Sequence, residues 1–203
     1  IFGGITRDVW LQILQPTFIE RIQISTPKVN EKSAETSAIL TLIHSGKKEQ
    51  EFEIEIAIKN PQGKIVSKQS IKNSIKPGTN NITLKLPNLK KPALWSPDAP
   101  NLYEIVVQLK SDKIVDQASE RFGFRWAEFK EHGPFYLNGK RLLLRGTHRH
   151  EDHAGYGNAL PDSLHRRDMK MIKEMGANFV RLAHYPQDPE IYRACDELGL
   201  LVW

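Results

Sequence analysis

The chain has 203 residues, 39% of them hydrophobic and 26% charged, a balance that excludes the low-apolar, highly charged composition of a disordered protein. Lys and Arg number 29 against 24 Asp and Glu, a net charge of +5, but much of the lysine is interleaved with glutamate, as in SGKKEQEFEIEIAIKN, which describes solvated strand faces and argues against a nucleic-acid groove. No apolar run of about 18 residues predicts a membrane span, and the single cysteine, Cys195, excludes an intramolecular disulfide and is expected to pack inside a helix.

Residues 1–14 lack the layout of a signal peptide. The first residue is not methionine, so the chain is expected to have begun upstream. From about residue 18 to 124 the apolar period is two. FEIEIAI puts Phe52, Ile54, Ile56 and Ile58 on one face, NITLKL does the same with Ile82, Leu84 and Leu86, and LYEIVVQL with Tyr103, Ile105, Val107 and Leu109. With FIERIQI, SAILTLI, GKIVSKQSI and KIVDQASERFGF these make about seven strands, punctuated by turn signals such as NPQGK and KPGTN. That pattern predicts an immunoglobulin-like sandwich, without the cysteine pair of the antibody type.

After GFRWAEFKEHGPFYLNGK the period changes. RLLLRG reads as a buried parallel strand. PDSLHRRDMKMIKEMG reads as a helix capped by Asp162 or Ser163, with Leu164, Met171, Ile172 and Met175 facing inward, His165 solvated and Gly176 at its end. NFVRL is a second buried strand. In DPEIYRACDELG, Asp188 caps a second helix, Pro189 fits its first position and Gly199 closes it, before LLVW begins a third strand. The alternation of strand and helix implies a parallel sheet. A closed (β/α)₈ barrel takes about 250 residues, far more than residues 142–203, and the sequence stops inside a buried strand, so the chain is expected to be a fragment of a longer protein.

The stretch RGTHRHEDH, residues 145–153, carries three histidines and two carboxylates. On a strand running out of RLLLRG, His148 and His150 point to the same side. Such a pair at the end of a first barrel strand is also how amidohydrolases hold a metal, whereas ordinary solvated loop histidines would carry no site at all. RLAHYP follows the second strand at the same end of the sheet, where barrel active sites form, and brings Arg181 and His184 to that rim. Taken alone, Arg181 also fits an ion pair at the core edge and His184 a hydrogen bond to the turn before Pro186.

The motifs in order resemble glycoside hydrolase family 2, the β-galactosidases, β-glucuronidases and β-mannosidases. GGITRDVWL resembles the close of that family's N-terminal jelly-roll domain, which puts residues 1–16 there. ALWSPDAPNLYEIVVQL resembles the end of its immunoglobulin-like domain, residues 17–124. GFR, FYLNGKRLLLRGTHRHED and NFVRLAHYPQDPEIYRACDELGLLVW resemble the start of its TIM-barrel catalytic domain, residues 125–203. One departure is Leu182, where the family pattern has a small or polar residue.

The resemblance implies that His150 and His184 reach sugar hydroxyls and that Arg181 lies near the nucleophilic carboxylate and keeps it ionised. It implies no metal and no cofactor, a β-linked oligosaccharide or glycoside as substrate, and a parent that can assemble as a homo-oligomer. No nucleic-acid or membrane partner is expected. Retaining hydrolysis uses two carboxylates about 5 to 5.5 Å apart. Glu151 and Asp152 are neighbours on extended chain and point opposite ways, so both catalytic glutamates are expected beyond residue 203 and the chain alone is expected to be inactive. The parent is read as a retaining β-glycosidase, a β-galactosidase first and a β-glucuronidase or β-mannosidase second. Two readings from other classes are a metal-dependent amidohydrolase and a non-catalytic sandwich module that contacts carbohydrate or protein.

Overall fold

The computed structural model describes residues 3–203. In chain order, nine strands lead: β1 (Thr17–Ser25), β2 (Ser33–His44), β3 (Gln50–Lys59), β4 (Ile65–Ile75), β5 (Gly78–Lys90), β6 (Trp95–Ser96), β7 (Ala99–Pro100), β8 (Tyr103–Lys110) and β9 (Ile114–Phe122). Then come β10 (Ala127–Phe129), β11 (Phe135–Leu137), β12 (Lys140–Arg141), β13 (Gly146–Arg149), α1 (Asp162–Glu174), β14 (Phe179–Leu182), α2 (Pro189–Leu198) and β15 (Leu201–Val202). Among the described residues no helix is long and apolar enough to cross a membrane.

The chain divides into two compact units. One, Gln12–Leu94 with Asn101–Arg125, is the immunoglobulin-like sandwich: an antiparallel sheet in the order β1-β2-β5 and another in the order β4-β3-β8-β9. The alternation read from the sequence is what fills it. Phe52, Ile54, Ile56 and Ile58 of β3 and Tyr103, Ile105, Val107 and Leu109 of β8 are all buried, on neighbouring strands whose register pairs Ile54 with Leu109 and Ile56 with Val107. Each such side chain contributes about 1.5–3 kcal/mol when fully buried. The opposite face of β3 carries the interleaved charge. Lys68 and Lys110 lie 2.9 and 3.0 Å from the Glu55 carboxylate. Hydrogen bonds from Lys68 first and then Lys110 hold that carboxyl below the usual carboxylate range.

The other unit takes in the N-terminal stretch to Leu11, Trp95–Pro100 and Trp126–Trp203. Its centre is a parallel sheet in the order β13-β14-β15, joined through α1 and α2. Gly146 opens β13 because the strands meet closely there: a Cβ at this position would lie 2.0 Å from the Phe179 carbonyl oxygen. Val180 and Leu182 face a core completed by Met169 and Ile172 of α1 and by Ile191, Ala194 and Cys195 of α2. Leu182 is therefore a core residue. Trp95 is 1% exposed, and its indole N–H donates to the Asp196 carbonyl at 2.8 Å.

α2 forms as its caps predict. The Asp188 side chain accepts from the Glu190 N–H, Pro189 starts the helix and Gly199 ends it at φ 73°. α1 departs from expectation. Its N-cap is Pro161, with no side-chain cap, and Asp162 stands in the first turn. The buried face is His165, Met169 and Ile172, while Met171 and Met175 are 54% and 63% exposed. Met169, Ile172 and His165 lie three and four apart on one face, and Arg149 gives the imidazole the buried partner that makes its position tenable. RLLLRG also departs: β13 begins only at Gly146, and Leu143 and Leu144 precede it in irregular chain with exposed side chains.

Candidate functional site

β13 and β14 run parallel with His148 opposite Arg181 and Arg149 opposite Leu182. Side chains alternate along the strand. His148 is exposed, Arg149 buried, His150 exposed and Glu151 buried. The opposite orientations of Glu151 and Asp152 follow the same rule, for Asp152 is exposed. β13 thus presents a histidine face outward and a charged face inward at its C-terminal end.

The outward face gathers aromatic rings around His150. Its ring centroid is 5.9 Å from that of His148, 5.5 Å from that of His184 and 6.2 Å from that of Tyr185, the first two edge to face. Arg181, half-buried on β14, places Nη2 3.3 Å from His184 Nδ1 and its guanidinium carbon 5.5 Å from the centre of the Trp203 ring. His150, Arg181 and His184 therefore converge on the C-terminal ends of two adjacent parallel strands. Imidazole nitrogens that donate and accept, beside a fixed guanidinium, suit a ligand rich in hydroxyls or a carboxylate.

Beneath the rim lies a polar network between the strand ends and both helices. Arg149 donates from Nε and Nη2 to Asp168 at 3.0 and 2.8 Å and from Nη1 to Gln187 at 2.9 Å, and its Nη2 is 3.2 Å from His165 Nδ1. Glu151, 1% exposed, accepts the Asp188 N–H at 2.9 Å and Arg7 Nη2 at 2.5 Å. His165, expected in solvent, is fully buried; Arg149 meets its Nδ1, while its Nε2 lies 3.6 Å from Glu151 Oε1 and finds no hydrogen-bond partner among the described residues. Paired charge explains how these groups are buried at all.

Glu151, His165 and Asp188 bring potential ligand atoms within 4.8 Å of one another, a group that does not include His148 or His150. Arg7 lies against both carboxylates, at 2.5 Å from Glu151 and 3.5 Å from Asp188, and supplies the positive charge that a cation would otherwise bring. A cleft lined by Arg7, Asp8, Trp10, Asp162, Asp188 and Arg193 includes none of His150, Arg181 and His184.

Sequence reasoning passed over Tyr185, Trp203 and the inward network. Tyr185 had a signal in its place next to His184. Arg7 had none, since it meets Glu151 across 144 residues of chain.

Comparison with known proteins places the molecule. Residues 17–125 match the model of glycosyl hydrolases family 2, and residues 128–203 that of the family 2 TIM barrel domain. A Formosa agariphila protein named "Putative beta-glucuronidase" is 51% identical over the whole chain, which covers 24% of that relative. A β-galactosidase of Thermoanaerobacter pseudethanolicus is 37% identical, again over the whole chain and 27% of the relative. The crystal structure of Bacteroides uniformis β-glucuronidase superposes with a TM-score of 0.95 at 36% identity, covering 99% of this chain and 25% of that one. The chain thus spans about a quarter of the length of these relatives. With both of its units matched, the sandwich and the opening of the barrel, the chain belongs to glycosyl hydrolases family 2.

Proposed function

We propose that the chain is the part of a retaining β-glycosidase that supplies one wall of the sugar site. In this reading residues 1–16 close a jelly-roll domain, 17–124 form the sandwich and 125–203 open the catalytic barrel. The observation that carries it is the meeting of His150 and His184, 5.5 Å apart at the ends of adjacent parallel strands, the end of a barrel where active sites form. The two imidazoles hydrogen-bond vicinal sugar hydroxyls, and Arg181 lowers the pKa of a nearby carboxylate nucleophile. The acid/base and nucleophile are glutamates on later strands, and hydrolysis proceeds with retention. No metal or cofactor takes part.

The sugar is a β-galactoside in the first reading, supported by β-galactosidase relatives that align along the whole chain. A β-glucuronide is the second, favoured by the 51% identity of the Formosa agariphila relative and by β-glucuronidase structures of the same fold. The test is an assay of the full-length enzyme on nitrophenyl β-galactoside, β-glucuronide and β-mannoside, with NMR of the first-formed product. Turnover of one β-glycoside with retained anomeric configuration is expected. Inversion, or turnover of none of them, overturns the proposal.

A further inference from the structure

We propose that Glu151 is a positioning residue that fixes the distance between His150 and His184, an assignment that rests on the sugar-site reading above. Glu151 is the nearest carboxylate in sequence to the rim histidine, yet it is 1% exposed and faces away from the rim. Both of its oxygens are occupied: Oε1 accepts the Asp188 N–H at 2.9 Å, and Oε2 accepts Arg7 Nη2 at 2.5 Å. Its own N–H donates to the Tyr185 hydroxyl at 2.8 Å. Tyr185 and Asp188 belong to the segment between β14 and α2 that carries His184, so one residue ties the strand end bearing His150 to the loop bearing its neighbour.

The residue on the other side of His150 does the same. The Arg149 carbonyl accepts from the Ala183 N–H at 3.0 Å and from Gln187 Nε2 at 2.8 Å. His150 is thus bracketed by two inward residues, each bonded to residues 183–188. A carboxylate is required at 151 because two separate donors, a backbone N–H and a guanidinium, must be met by two acceptor oxygens at a buried point. A glutamine keeps one acceptor oxygen there and loses the other. Geometry set to a fraction of an ångström matters at such a rim, since a shift of about 1 Å costs on the order of 100-fold in rate.

The experiment is a double-mutant cycle in the full-length enzyme, read as kcat and KM on nitrophenyl β-galactoside and β-glucuronide, with melting temperature as a check on folding. Glu151→Ala is expected to lower kcat/KM about 100-fold and Glu151→Gln roughly 10-fold, the amide recovering part of the loss. In a His150→Ala background either change is expected to cost less than about 3-fold more, because Glu151 acts through the histidine already removed. If His150→Ala is impaired and the two losses multiply, the sugar-site reading stands and this assignment is overturned. If His150→Ala retains near-normal kcat/KM, the site reading fails and this proposal with it. Should Glu151→Ala not fold, the Glu151→Gln cycle decides by the same criterion.

Discussion

Arg149 and Gln187 exchange two hydrogen bonds: Arg149 Nη1 donates to Gln187 Oε1 at 2.9 Å, and Gln187 Nε2 donates back to the Arg149 carbonyl at 2.8 Å. Both residues are buried. Replacing Gln187 with Leu leaves a guanidinium N–H and a carbonyl without these partners. In the full-length enzyme Gln187→Leu is expected to cost about 1–3 kcal/mol of stability, seen as a lower melting temperature. An unchanged transition would mean that the reciprocal pair is not a stabilising feature.

His165 gives a second stability prediction. Its ring fills a buried site beside Arg149 and Glu151, so His165→Ala removes both packing and a polar contact, and a loss of about 2 kcal/mol or more is expected. His132, whose side chain is 94% exposed and whose φ is 52°, is the matched control, and His132→Asn, a residue that tolerates this left-handed backbone, should stay within about 0.5 kcal/mol of the parent. Equal melting temperatures for the two variants would contradict the buried placement.

How much of this was legible in the sequence depended on the range of the interaction. Period two marked the sandwich strands because each sheet buries alternate residues such as Ile54, Ile56 and Ile58. Asp188, Pro189 and Gly199 announced α2 because capping is chemistry within one turn. α1 was misread where long-range partners decided the outcome. Its methionines suggested an inward face through Met171 and Met175, whereas Arg149, sixteen residues away, stabilises a buried His165. The rim histidines were legible as a group through strand alternation, while Arg7 beneath them, 144 residues from Glu151, left no local sign.

Cys195 offers a chemical check on the second core. Burial pushes its thiol up to about 12, and the sulfur lies 3.5 Å from Met169 Sδ. At pH 8 it is therefore protonated as well as enclosed, and thiolate is the reactive form. The folded 203-residue chain, which holds no other cysteine, should leave a thiol reagent such as dithiobis-nitrobenzoate unreacted, and release one equivalent of thionitrobenzoate once unfolded in guanidinium. Rapid reaction of the folded chain would contradict the packing of α2 against α1.

The carboxylate cluster under the rim is predicted to hold no zinc, because Arg7 already pairs with both Glu151 and Asp188 and because His148 and His150 do not join it. Metal analysis after dialysis should find far less than one zinc per chain. Near-stoichiometric zinc, lost in Glu151→Ala or His165→Ala, would show that a metal displaces the guanidinium.

The central claim is that His150 and His184 form a wall of the sugar site, and the direct measurement is kcat/KM of His150→Ala and His184→Ala in the full-length enzyme, set beside their melting temperatures. Hydrogen bonds to sugar hydroxyls that strengthen as the ring flattens act on the transition state, so each variant should lose roughly 2–4 kcal/mol of transition-state stabilisation, on the order of 30- to 1,000-fold, with little change in melting temperature. Near-normal kcat/KM in both, or a loss that simply follows a falling melting temperature, would make the two histidines structural and contradict the account.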